Sequence, residues 1–166
     1  MKESVPRSDH SGSSGLEAIR QAVAQGWKPP IAHLVGFRLT EIQKGRAKVE
    51  LEAGPEHENP MGTLHGGIIC DIADAAMGMS YASLLHSDES FTTVSLTVNF
   101  LRPFWSGHLV ARGKVIRKGR TMGLLECRVT DDRRRLVAYA TSTCMTLQGV
   151  RGGGLTRPKR EREPSA

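Results

Sequence analysis

The segment "NPMGTLHGGIICDIADAAMG", residues 59–78, strings an amide, an imidazole, two glycines and two carboxylates along an otherwise apolar run. An ionised carboxylate without partners is expensive to remove from water, so Asp71 and Asp74 either face solvent or take part in chemistry. The glycines raise the same question. Gly66 and Gly67 stand where an apolar helix would begin, and the first N–H groups of a helix lack intrahelical acceptors and sit at the positive end of its macrodipole. Without side chains, the pair lets a ligand approach those amides. A carbonyl oxygen that gains negative charge during attack would be stabilised there. Close packing of the helix start accounts for the pair equally well.

The aspartates lie three residues apart and so are neighbours on one helical face. A solvated face would account for both. Yet Ile68, Ile69, Ile72, Ala73, Ala75, Ala76 and Met77 leave little polar face to occupy. A carboxylate in apolar surroundings acquires a raised pKa, which suits a general base or a nucleophile. Asn59, six residues before His65, can polarise a carbonyl or hold a water, or it can simply form the turn that Asn59-Pro60 favours. Metal ligation by His57, His65 and Asp74 has no known ligand spacing behind it, and no metal or redox cofactor is expected. Cys70 would sit mid-helix, where packing explains it without nucleophilic chemistry.

These residues need a scaffold, and the rest of the chain describes one. Its 166 residues suit a single domain with a proper core. Residues 1–15 read as a flexible leader, residues 16–150 as the folded domain and residues 151–166 as a disordered basic tail. The tail holds five basic and two acidic side chains, so half of the net charge of +6 lies outside the body. "LEAIRQAVAQG" (16–26) has helical spacing, with a glycine suited to a C-cap. "WKPPIAHLVG" is a Pro-interrupted connection with room for one helical turn. "FRLTEIQKGRAKVELEA" reads as two strands about Lys44-Gly45. Residues 54–64 form a loop, and residues 66–86 form a largely buried helix. Four strands follow, separated by turns at Pro103 to Gly107, Gly119 and Asp131-Asp132. Two strands, one apolar helix and four strands make an α+β fold, a sheet wrapped on a central helix.

Composition narrows the function classes. Cys70, Cys127 and Cys144 are odd in number and widely spaced with no C-x-x-C pair, which argues against a disulfide scaffold and against a zinc ribbon. Aromatic residues are only 5% of the chain and no recognition motif accompanies the positive charge, so nucleic acid is not the expected partner. No apolar stretch is long enough to cross a bilayer. With no secretory segment at the N-terminus, the cytoplasm is the expected compartment.

The pattern Asn59-x5-His65-Gly66-Gly67-x6-Asp74, followed by "TVNFLRP" (97–103), resembles that of PaaI-like hotdog-fold acyl-CoA thioesterases. The likeness extends through "GHLVARGKVIRKGRTMGLLECRV" to "ATSTCMTL", roughly residues 33–147. It implies a hotdog fold, a curved antiparallel sheet around a long helix. It also implies that Asp74 is the catalytic carboxylate, that the Gly66 amide stabilises the oxyanion, and that Asn59 and His65 serve the carbonyl site. A family hydroxyl that orients the attacking water falls on Thr93, with Thr92 as the neighbouring alternative. The spacing from Asp74 is one residue longer here than in some relatives. Coenzyme A carries phosphates that need amide or basic partners, for which Gly67, Arg102, Arg117, Lys118 and Arg120 are the candidates. The alternative is a non-catalytic acyl-CoA-binding module of the same fold.

Geometry adds a constraint. Gly66 and Asp74 are eight residues apart on one helix, about 12 Å along its axis. Both must reach one reacting centre, so the site is expected to draw on two chains of a symmetric homodimer. The resemblance implies the same, commonly as a dimer of dimers (a homotetramer).

Overall fold

In the computed structural model, residues 14–149 are described. The leader up to residue 13 and the tail over 151–166 lie outside them. Helix α1, Gly15–Ala24, starts within the expected leader because the Ser14 side chain caps it by accepting from the Glu17 amide. The short helix α2, Pro30–Val35, supplies the single turn expected in the Pro-interrupted connection, and Gly36 ends it at φ 87°. Strands β1, Arg38–Gln43, and β2, Arg46–Ala53, form the expected hairpin about Lys44-Gly45. The long helix α3 spans Gly66–Ala82. Strands β3, Glu89–Phe100, β4, Gly107–Lys118, β5, Met122–Asp131, and β6, Leu136–Gln148, complete the fold.

The six strands make one antiparallel sheet in the order β1-β2-β4-β5-β6-β3. Helix α3 crosses its inner face and meets every strand, most of all β2 and β4. A buried stripe of Ile69, Ile72, Ala73, Ala76, Met77 and Ser80 recurs at helical spacing and faces the sheet. Opposite it stand Val49 and Leu51 of β2, Leu109 and Ala111 of β4, and Leu125, Cys127 and Val129 of β5, all buried. The alternation of β2, β5 and β6 between buried and outward residues is that of a sheet with one covered face.

The helix ends four residues before the expected His86. Ser83 stops it: its hydroxyl donates to the Ser80 carbonyl at 2.7 Å and accepts from the Gly45 amide at 2.8 Å. A serine hydroxyl that bonds its own backbone competes with helix continuation. Here it also ties the helix end to the β1–β2 turn.

The small residues on α3 let its backbone approach the sheet. At Gly113 of β4 a Cβ atom would lie 2.4 Å from the Ala76 carbonyl oxygen and 2.8 Å from the Met77 nitrogen. Backbone on both sides cannot yield as a flexible side chain would. Gly113→Ala is therefore expected to push the helix off the sheet and destabilise the fold by about 1–3 kcal/mol, read as a lower urea midpoint. A midpoint equal to that of the wild type would mean that the helix does not sit this close in solution.

Candidate active site

Asp74 lies on the flank of α3 that the β2–β4–β5 sheet leaves open, and β3 passes over that flank. It is half-buried. Thr93 Oγ1 donates to Asp74 Oδ1 at 3.1 Å. Thr92 does not share the position: it pairs with the outward Met145 on the opposite face of the sheet, whereas Thr93 pairs with the fully buried Cys144. A carboxylate with a hydroxyl beside it can hold and deprotonate a water, or attack a carbonyl itself.

A β-bulge governs this placement. Thr93 pairs with Cys144 and Ser95 with Thr143, so Val94 is an extra residue in β3. Before the bulge the inward residues are Phe91, packed against Gly78, and Thr93. After it they are Leu96 and Val98, which pack on the core, and Phe100. The apolar phase of "FTTVSLTVNF" flips between Phe91 and Leu96, which is the sequence trace of this bulge and was open to reading.

Asp71 differs from Asp74. It lies one turn nearer the helix start, and its Oδ2 is enclosed without a hydrogen-bond partner among the described residues. Burial, and after it the charge of Asp74, pushes its carboxyl above the ordinary carboxylate range. The perturbed carboxylate sought in the sequence is thus Asp71, while the one with a hydroxyl partner is Asp74.

The helix start forms a second centre. His65 is the N-cap residue, and its Nδ1 accepts from the Gly67 amide at 2.9 Å. That bond occupies the Gly67 donor. The Gly66 amide has no acceptor among the described residues, so of the two glycines it is the one open to a ligand. Asn59 shapes the loop before it: its Oδ1 accepts from the amides of Met61 at 2.9 Å and Thr63 at 3.3 Å, and its Nδ2 donates to Thr63 Oγ1 at 2.8 Å. The turn-forming alternative for Asn59 is what the structure contains. His57, not assigned a structural part from sequence, is a buried pin, with Nδ1 accepting from the Gly54 amide and Nε2 against the Val35 carbonyl at 2.8 Å. Among the described residues, no three His, Cys, Asp or Glu side chains stand together as a metal site.

Beside Gly66 opens a cleft of about 310 Å³, within the small end of ligand-site sizes, lined among others by Leu64, Ile69, Phe100, Arg102 and Phe104. The Phe100 ring stands over Gly66, where a Cβ atom would come within 3.1 Å of it; nothing in its sequence spacing marked that residue. Arg102 is exposed at this cleft. The other candidate bases lie elsewhere. Arg117, Lys118 and Arg120 cluster at the β4–β5 turn, beside Gly123, which packs on Tyr81 near the far end of α3. Lys118 Nζ pairs there with Glu89 at 3.7 Å. Within one chain the structure joins Asp74 to Thr93, and Asn59, His65 and Arg102 to Gly66. It keeps the two groups apart.

A family model described as the thioesterase superfamily matches residues 61–138, which include His65 to Asp74 and most of the four-strand run. A candidate esterase of Saccharolobus solfataricus is 33% identical over 118 residues, 71% of this chain and 84% of that protein. The 1,4-dihydroxy-2-naphthoyl-CoA hydrolase of Listeria monocytogenes is 27% identical over 109 residues, 66% of this chain and 89% of the relative. Among solved structures, a thioesterase family protein of Silicibacter pomeroyi superposes with a TM-score of 0.73 at 27% identity, covering 82% of this chain and 100% of that one. The E. coli PaaI protein of the phenylacetic acid degradation operon gives a TM-score of 0.73 at 22% identity, covering 82% and 98%, a likeness of fold. With its antiparallel sheet wrapped on one long helix, the chain belongs to the thioesterase superfamily and has the hotdog fold.

Proposed function

We propose that this protein hydrolyses acyl-CoA thioesters, releasing a carboxylic acid and free coenzyme A, at sites shared by two copies of the chain. The observation that carries this reading is the hydroxyl–carboxylate pair of Thr93 and Asp74, 3.1 Å apart, set on an otherwise apolar helix. The naming of the Listeria relative as a CoA-thioester hydrolase supports the substrate class. Water held by Thr93 gives its proton to Asp74 and attacks the thioester carbonyl. A C–O bond forms, the C–S bond breaks and the thiolate of coenzyme A leaves. In the variant mechanism Asp74 attacks first, and water then cleaves the resulting anhydride. In both, negative charge collects on the carbonyl oxygen, where the Gly66 amide at the start of α3 stabilises it. The acyl group fits the cleft of Leu64, Ile69, Phe100 and Phe104.

The rise of a helix puts Gly66 and Asp74 about 12 Å apart along the axis. A second copy closes that distance. Strand β3 is a sheet edge of twelve residues with no neighbour on one side among the described residues, and Val94 and Phe100 in it and Leu101 just past its end are 54%, 54% and 56% exposed. A long, apolar, unpaired edge is a template for pairing. Two copies joined through it about a two-fold axis form an isologous dimer, and Gly66 of one chain then serves Asp74 and Thr93 of the other. Among the described residues no helix is long and apolar enough to cross a membrane.

Turnover of a panel of aromatic, medium-chain and long-chain acyl-CoA thioesters, followed by a thiol reagent, tests the activity. Binding without release of coenzyme A would return the non-catalytic alternative. Asp74→Asn is expected to lower kcat by at least about 10²-fold, while Asp71→Asn keeps most activity. A reversal of these outcomes in folded proteins would move the site to Asp71.

Asp71→Asn should also leave a thermal signature. A buried acid whose pKa is raised on folding weakens the fold as pH climbs from its ordinary value of 3.8 through the raised one. The substitution is therefore expected to raise Tm at pH 7, with the gain fading as the pH approaches about 4. An unchanged Tm across this range would mean that Asp71 is solvated.

Complementation tests the shared site. Asn59→Ala/Gly66→Ala chains damage one half of each site and Asp74→Asn chains the other. Co-expressed, they should regain about a quarter of wild-type activity, because half of randomly paired dimers are mixed and each holds one intact site. Mixed dimers shown by mass but no more active than their parents would rule the two-chain site out.

A further inference from the structure

Thr93 faces Asp74 because β3 carries the extra residue Val94, and a bulge needs something to hold it. The inward row of β6 beside it is built of small buried residues: Ala138, Ala140, Ser142, Cys144 and Thr146. Ser142 is 2% exposed, and its two inward neighbours are apolar or nearly so. An alanine would fill the same place without a hydroxyl that needs a partner. The hydroxyl has one: Ser142 Oγ donates to the carbonyl of Ser95 at 2.9 Å. Ser95 is the first residue after the bulge, where ladder bonding is locally disrupted. Cys144, the cross-strand partner of Thr93, is fully buried, with its thiol beside both the Thr93 and Ser142 hydroxyls. Two hydrogen bonds thus flank Cys144 inside an otherwise apolar face, Thr93 to Asp74 on one side and Ser142 to the Ser95 carbonyl on the other.

We infer that Ser142 is a positioning residue for this site: by bonding the Ser95 carbonyl it fixes the bulge at Val94 and thereby holds the Thr93 hydroxyl on Asp74. The inference rests on the reading of Asp74 and Thr93 as catalytic machinery. Ser142 itself is one strand away from the reacting atoms and acts only through Thr93. Its contribution therefore appears in kcat rather than in KM, and it exists only while Thr93 has a hydroxyl to place.

The experiment is a double-mutant cycle on the full chain, using the acyl-CoA thioester turned over fastest in the panel, with Tm recorded for each protein. Ser142→Ala is expected to lower kcat about tenfold through misplacement of Thr93, with KM within about twofold of wild type. Thr93→Val, which keeps the shape and removes the hydroxyl, should lower kcat at least as far. The double variant should be no slower than Thr93→Val alone, because the two residues act as one unit. Ser142→Cys keeps a weak donor in nearly the same shape and should fall between wild type and Ser142→Ala; it carries the comparison if the alanine variant does not fold. Losses that multiply, or wild-type kcat in the Ser142 variants beside an impaired Thr93→Val, would overturn the inference and leave the Asp74–Thr93 reading standing. Full kcat in Thr93→Val would overturn both.

Discussion

The close approach of α3 to β4 is the constraint from which the rest follows. Backbone meets backbone at Gly113 and Ala76, with no space for a methyl group between them. Such contact requires small residues along the stripe that faces the sheet, and Ala73, Ala76 and Ser80 supply them. It fixes the helix's rotation about its own axis, because only the alanine side can come so near. With rotation fixed, the carboxylates at 71 and 74 are turned onto the flank that β3 covers incompletely. The price of a charged group on a buried helix is reduced there by a hydroxyl from β3 and by the open side of the sheet.

Regularity in the helix then imposes separation. A straight helix cannot bring its first turn and its third to one point, so the open amide of Gly66 and the carboxylate of Asp74 stand at two places. The unpaired edge of β3 offers a way for a second chain to restore proximity. The same strand supplies Thr93, and Phe100 from its far end packs over Gly66. One strand therefore touches both halves of the proposed site, and its bulge sets which of its residues do so.

Much of this was legible in the sequence. Six strands and the central helix followed from alternation, turn residues and an apolar run with small residues, because each is a local pattern enforced by one buried face. The motif around His65, Gly66 and Asp74 identified the helix start and its carboxylate. Other features were hidden for physical reasons. Ser83 ends α3 through a bond to Gly45, thirty-eight residues away in sequence, and no local pattern announces a distant partner. That Asp71, and not Asp74, has the enclosed, unpartnered oxygen depends on what packs over each, and helical spacing alone places them as neighbours. Asn59 satisfies its own loop, which its Asn-Pro context had already suggested. The bulge at Val94 was present as a shift of apolar phase, but a phase shift becomes a bulge only once the facing strand is known.

The order of pairing in the sheet also bears on how the molecule is made. Among the described residues, strand β3 has one neighbour, β6, and β6 is the last strand. Residues 38–82 contain the first hairpin and the helix, elements whose contacts can begin to form while the ribosome is still extending the polypeptide. Strand β3 emerges next and must wait, because the register that bonds Thr93 opposite Cys144 has no template until residue 144 has been synthesised. During that interval a long apolar strand is unpaired on both edges, the circumstance in which nascent chains call on chaperones. Closure of β6 onto β3 is then a late event of high sequence separation, which slows folding. The carboxylate is placed once β4 meets the helix, and its hydroxyl partner arrives only with β6.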